Sequence, residues 1–156
     1  MQIDFLKNND INEFSRLARI IILNTPYYSS LAKKHEIKKY STRNLRLKLH
    51  DRKNLYILAK NENKIVGFCN GYFDAGIFWI DWVGVHISFR GKELSVKLLN
   101  FLEKTLKKSN VHKIWCDCLT TNKQSISLLK KLKFKKFALL KKHWYKQDFY
   151  LWYKFI

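Results

Sequence analysis

Trp79-Ile80-Asp81-Trp82-Val83-Gly84-Val85-His86-Ile87-Ser88-Phe89-Arg90-Gly91-Lys92-Glu93-Leu94-Ser95 is the stretch that decides how the rest of the chain is read. Residues 77 to 87 are apolar at nearly every position, which predicts a strand covered on both faces and central in a sheet. A short basic turn holding one glycine follows. Leu94, Leu98, Leu102 and Leu106 then recur every fourth residue, a buried stripe on a helix that runs to about Lys108. A helix that starts directly after such a turn points free backbone N–H groups outward, and an anion is the expected guest.

Working outward, Gln2 to Phe5 is a first strand, and Asp10 is placed to cap a helix with Phe14, Leu17, Ala18 and Ile21 inward. Pro26 stops that helix. Residues 27 to 40 have weak periodicity and read as a loop or a short helix. Ser41 or Thr42 caps a further helix with Leu45 and Leu49 inward. Leu55 to Lys60 and Ile65 to Phe73 form a hairpin around Asn61-Glu62-Asn63, and Asp74-Ala75-Gly76 turns the chain into the central strand. After the central helix come a strand from Lys113 to Leu119 and a helix from Asn122 to Leu132. Strands over Phe134–Lys141 and Phe149–Phe155 end the chain. The expected fold class is α/β (α+β): one domain over 1–156, a mostly antiparallel sheet with helices on both faces.

Composition limits the function classes. The 156 residues are 47% hydrophobic and 15% aromatic, which excludes a disordered chain. No run approaches the roughly 18 apolar residues of a membrane span, and Met1-Gln2-Ile3-Asp4-Phe5 lacks the basic-then-apolar pattern of a secretory signal. Three cysteines without paired spacing point to a reducing, cytoplasmic setting; Cys116 and Cys118 share one strand face and read as core, and no metal ligand set is visible. The net charge of +19 attracts polyanions. It is carried mostly by lysines, point charges spread along the chain, so weak non-specific nucleic-acid attraction is the expectation.

The order of these elements and the residues at the central turn resemble the GNAT superfamily of acyl-coenzyme A N-acyltransferases, over the whole chain. That family's main motif is a bulged strand followed by Arg/Gln-x-x-Gly-x-Gly/Ala at a helix start. Val83-Gly84-Val85 followed by Arg90-Gly91-Lys92-Glu93-Leu94-Ser95 stands in that place, with Glu93 and Ser95 replacing the last two motif residues. The resemblance implies acetyl-coenzyme A as co-substrate. Val83, Gly84 and Val85 would meet its pantetheine arm, and Arg90 with Gly91, Lys92, Glu93, Leu94, Ser95 and Val96 would surround its diphosphate. Asn122-Lys123-Gln124-Ser125 resembles a second family segment, placing Asn122 and Ser125 toward the coenzyme arm. Leu129 stands where a tyrosine is common there, and Lys133 where a glycine is. A carboxylate at Glu93 either points away from the diphosphate or fills the anion site itself.

Acylating an amine needs the neutral amine, so a base beside the acceptor is useful. Asp81 is the leading candidate, being the charge inside the apolar central strand; alternation puts it on the side of Trp79, Val83 and Val85. The same residue also reads as a structural carboxylate paired with a nearby cation. His143-Trp144-Tyr145-Lys146-Gln147-Asp148 is the second candidate: in the resembling family this segment borders the acceptor pocket, and Tyr145 or His143 would stand in for the missing tyrosine. Trp79, Trp82, Tyr72 and Phe73 are candidate pocket linings. The expected function is acetyl transfer to a primary amine by direct attack. The acceptor would be a small amine, an amino sugar, or a protein N-terminus or lysine, and a homodimer is compatible with the chain. The alternative is a degenerate member of the fold that binds nucleic acid or a partner protein without catalysis.

Overall fold

The computed structural model describes all residues, Met1 to Ile156. In chain order the elements are β1 (Gln2–Phe5), α1 (Ile11–Leu23), α2 (Ser30–Lys39), α3 (Thr42–Leu49), β2 (Asn54–Asn61), β3 (Lys64–Asp74) and β4 (Ile77–Val85). They continue with α4 (Leu94–Leu106), β5 (Lys113–Leu119), α5 (Lys123–Lys131), β6 (Lys135–Leu140) and β7 (Phe149–Phe155). The seven strands make one sheet in the order β1-β2-β3-β4-β5-β7-β6. Every neighbouring pair is antiparallel except β4 and β5, which run parallel. The β2–β3 turn places Glu62 and Asn63 at positive φ, as a tight two-residue hairpin requires.

The apolar periodicities sort the core onto the two faces of the sheet. On one face Phe14 of α1 meets Tyr40, Tyr56 and Phe68 in edge-to-face contacts with ring centres 4.9–5.9 Å apart. On the other face the stripe Leu94, Leu98, Leu102 and Leu106 is buried over Ile57, Cys69, Phe78 and Ile80. Each such leucine contributes roughly 1.5–3 kcal/mol relative to exposure. No helix of the chain is long and apolar enough to cross a membrane.

One open alternative is decided and three local expectations change, in four places. Residues 30–39 form a full helix, α2, capped by the Ser29 hydroxyl accepting from the Ala32 N–H at 3.2 Å. Only Ala32 and Glu36 of it are buried, so it has no apolar stripe for periodicity to detect. Asp10 caps no helix amide; its carboxylate accepts from the Lys7 N–H at 3.2 Å and from Lys60 Nζ at 2.6 Å. The central strand stops at Val85, where His86 starts a single 3-10 turn, and α4 ends at Leu106.

The last change matters for function. Asn70 pairs with Trp82 but Gly71 pairs with Ile80, so Asp81 is the extra residue of a β-bulge. A Cβ on Gly71 would lie 2.0 Å from the Trp79 carbonyl oxygen, so only glycine fits opposite the bulge. The bulge resets the alternation. Asp81 and Trp82 both face the α1–α3 side with Trp79, whereas Val83 and Val85 pack on the α4 side. The expectation that Asp81 shares a face with Val83 and Val85 is therefore corrected.

Candidate active site

β4 and β5 pair only from Ile77–Ile80 to Lys113–Cys116. Beyond the bulge they part, leaving residues 81–85 and 117–119 as the walls of a wedge with unpaired backbone groups. At the mouth of the wedge lies the turn before α4. Gly91 (φ +74°) and Glu93 (φ +57°) both take the left-handed conformation, and the N–H groups from Gly91 to Val96 bond no acceptor within the protein. Consecutive N–H groups curled this way at a helix start form an anion-binding concavity. A Cβ at Gly91 would meet nothing within 4 Å, so the concavity is open. Arg90 is anchored beside it, donating from Nε to the Val85 carbonyl at 3.2 Å.

The side chain of Glu93 does not fill that concavity. It is 63% exposed and pairs outward with Lys131 of α5, a contact that holds its carboxyl below the usual range. Lys133, the other residue standing in place of a glycine, has φ +63°. Both departures from the expected motif therefore keep the backbone that glycine would adopt. Each costs about 1 kcal/mol for an L-residue. Gly84 remains glycine because a Cβ would lie 2.7 Å from the Phe68 ring. Asn122 caps α5, its Oδ1 accepting from the Ser125 N–H at 3.1 Å. Leu129 is buried in the core and offers no acid.

On the other side of the bulge is a cavity of about 390 Å³. Its walls are aromatic and charged: Tyr28, Trp79, Trp82 and Trp144 with the carboxylates of Glu36, Asp81 and Asp117 and the ammonium groups of Lys39 and Lys48. Tyr28 stacks on Trp82 with ring centres 5.4 Å apart. Asp81 accepts from Asn70 Nδ2 at 3.4 Å, and Asn70 Oδ1 accepts from the buried Tyr40 hydroxyl at 3.0 Å. Lys39 Nζ lies 3.7 Å from Asp81 and 3.0 Å from Glu36. Burial alone would lower the Lys39 ammonium, but the two carboxylates hold it above its usual value. Asp117 shows the opposite balance: burial pushes its carboxyl up, and the Trp144 indole N–H, donating at 2.8 Å, only partly offsets this.

The segment between β6 and β7 closes the cavity. Trp144 reaches Asp117, the Tyr145 hydroxyl donates to Glu36 at 2.6 Å and meets His35 Nδ1 at 2.7 Å, and Gln147 Nε2 donates to the Tyr27 carbonyl at 2.9 Å. Burial, then the bond to Glu36, keep the proton on Tyr145 well above the ordinary phenol range. Asp81 and Tyr145 thus share one cavity. His143 is not among the lining residues; it is exposed, against the Trp144 ring. Tyr72, Trp79 and Trp82 line the cavity, but Phe73 does not; it packs on Phe78 toward the α4 core. Glu36, Lys39 and Asn70 were not legible as site residues, and Asp117 was missed although a signal for it existed. Asp117 carries the same signal as Asp81, a lone charge between apolar neighbours on a strand.

The model of the acetyltransferase (GNAT) family matches residues 17–134. No curated protein matches the sequence. Among solved structures, the PaiA N-acetyltransferase of Thermoplasma acidophilum in complex with coenzyme A superposes with a TM-score of 0.83 at 19% identity, covering 100% of both chains. A GNAT-family acetyltransferase of Streptococcus pneumoniae gives 0.81 at 20% identity over 99% of this chain and 98% of that one. The ribosomal-protein-alanine N-acetyltransferase of Brucella melitensis gives 0.76 at 18% identity over 100% of both. These likenesses establish the fold, and the match across three quarters of the sequence establishes that the chain belongs to the GNAT acetyltransferase family.

Proposed function

We propose that the protein transfers an acetyl group from acetyl-coenzyme A to a small cationic amine. The observation that supports this most is the pairing of two unlike sites across the Asp81 bulge: an anion-binding concavity with a wedge behind it, and an acidic, aromatic cavity. The residues present fit the coenzyme. N–H groups of Gly91 to Val96 with Arg90 and Lys92 suit the diphosphate, and the unpaired edge of β4 at residues 81–85 suits the amides of the pantetheine arm. Bound there, the coenzyme supplies an activated acetyl thioester.

The cavity would draw in an ammonium through Glu36, Asp81 and Asp117, with aromatic faces adding cation–π attraction. Asp81 is placed to accept the proton that the amine must lose before its nitrogen attacks the thioester carbon. As the C–N bond forms, the C–S bond breaks and the thiolate leaves. A thiol pKa of about 8.5 makes it a tolerable leaving group without a residue at the Leu129 position. Lys39 keeps an ammonium between Asp81 and Glu36 and fixes both carboxylates. The outward-turned Glu93 favours this reading over a fold that has lost its coenzyme.

A panel of amines assayed for free thiol release from acetyl-coenzyme A tests it. Cationic small amines should turn over and phosphorylated amines should not; release only with phosphorylated or acidic acceptors would sink the acceptor assignment.

A further inference from the structure

Across β5, β7 and β6, the face that carries Asp117 also carries a row of aromatic side chains open to solvent. Trp115 packs edge-on to Phe137 at 5.4 Å and lies 5.7 Å from Tyr153, which meets Phe155 at 5.4 Å. Phe137 and Phe155 are each 64% exposed. Lys113 sits within the row, its Nζ 4.1 Å from the centre of the Trp115 ring, 5.0 Å from Tyr153 and 5.3 Å from Phe155. Lys135 of β6 pairs in register with Tyr153 and is exposed. β6 is the last strand of the sheet, so the row runs out to an open edge.

We propose that this face binds single-stranded nucleic acid, with bases on Phe137 and Phe155 and phosphates at Lys113 and Lys135. Aromatic side chains on an open sheet with lysines among them suit unpaired bases, whose flat faces stack and whose backbone is anionic. Charge decides against the other occupants. A second copy would set one +19 chain against another, each with Lys113 amid the apolar contact. A bilayer would have to take the Lys113 ammonium down with the rings around it. A phosphodiester pairs with that ammonium. Asp117, at the far end of the row beside the cavity, confines the phosphates to the Lys113 end.

The test is fluorescence anisotropy with a labelled single-stranded RNA of roughly 12 nucleotides and its duplex, on the full chain. The wild type should bind the single strand more tightly than the duplex. Replacing both rings, Phe137→Ala with Phe155→Ala, leaves the net charge untouched and should weaken single-strand binding about tenfold or more. Phe137→Leu with Phe155→Leu keeps the apolar bulk and should show the same direction if the alanine pair melts early. Lys113→Gln should weaken binding less and flatten its salt dependence. Binding that ignores the ring changes, or favours the duplex, would reflect bulk charge only and overturn the proposal. So would a wild-type dimer, seen by sedimentation, that the ring variants dissociate, or capture by phosphatidylserine vesicles with no RNA affinity.

Discussion

The two halves of the site on either side of Asp81 are built differently. The coenzyme half comes mostly from one continuous stretch, residues 81–96, with the end of β5 as its far wall, and works through backbone: a splayed strand edge and a run of free N–H groups. The acceptor half comes from α2, β3, β4, β5 and the β6–β7 segment, and works through side chains. Backbone geometry tolerates side-chain change. Glu93 and Lys133 stand where the family pattern has glycines yet hold φ +57° and +63°, so each of the two turns keeps its left-handed residue. A side-chain site has no such tolerance, since each of Glu36, Asp81 and Asp117 is a charge whose loss alters what the cavity attracts.

Gly71→Ala breaks the hinge between the halves and should have the largest effect. Its Cβ would meet the Trp79 carbonyl at 2.0 Å, so the bulge must rearrange. A loss of roughly 3 kcal/mol or more is expected, read as a drop in melting temperature of about 10 °C. A melt within a degree or two of wild type would show that the bulge is not fixed by this glycine.

Asp81→Asn separates the halves functionally. It should lower kcat/KM by about tenfold or more, with acetyl-coenzyme A affinity kept. Equal turnover would leave Asp81 as no more than the partner of Lys39. Glu93→Gly acts on the coenzyme half alone. It removes a left-handed carboxylate beside the diphosphate concavity, so acetyl-coenzyme A should bind severalfold more tightly, with turnover at saturation little changed. Weaker binding would mean that the Glu93–Lys131 contact organises the turn.

Asp117→Asn should give the smallest change, in the stabilising direction. Burial raises the Asp117 carboxyl in the folded chain above its ordinary 3.8. The folded state therefore holds this proton at pH values where the unfolded state has released it. Stability falls as pH rises from 3.8 through the raised value and stays reduced above it. Asparagine keeps an oxygen for the Trp144 indole N–H and removes that slope. At neutral pH the variant should melt a few degrees higher than wild type, and at pH below 3.8 the advantage should vanish.

The same contrast explains what could be read in advance. Period-two and period-four patterns revealed strands and the α4 stripe because burial there is one-sided or complete. The anion turn was legible because the residues forming it are consecutive. α2 was legible only as one of two alternatives, since it buries only Ala32 and Glu36, and the bulge was not legible, because with apolar residues on both faces of β4 one extra residue breaks no alternation that could be read. The cavity needed Glu36 and Tyr145, 109 positions apart, to meet at 2.6 Å; single-sequence periodicity carries no information about such a contact.

Calorimetric titration with acetyl-coenzyme A tests the central claim most directly. An intact concavity at Gly91–Val96, with Glu93 turned outward, predicts saturable one-to-one binding that competing coenzyme A displaces. No heat at millimolar ligand would contradict it, and with it the assignment of the protein as an acetyltransferase.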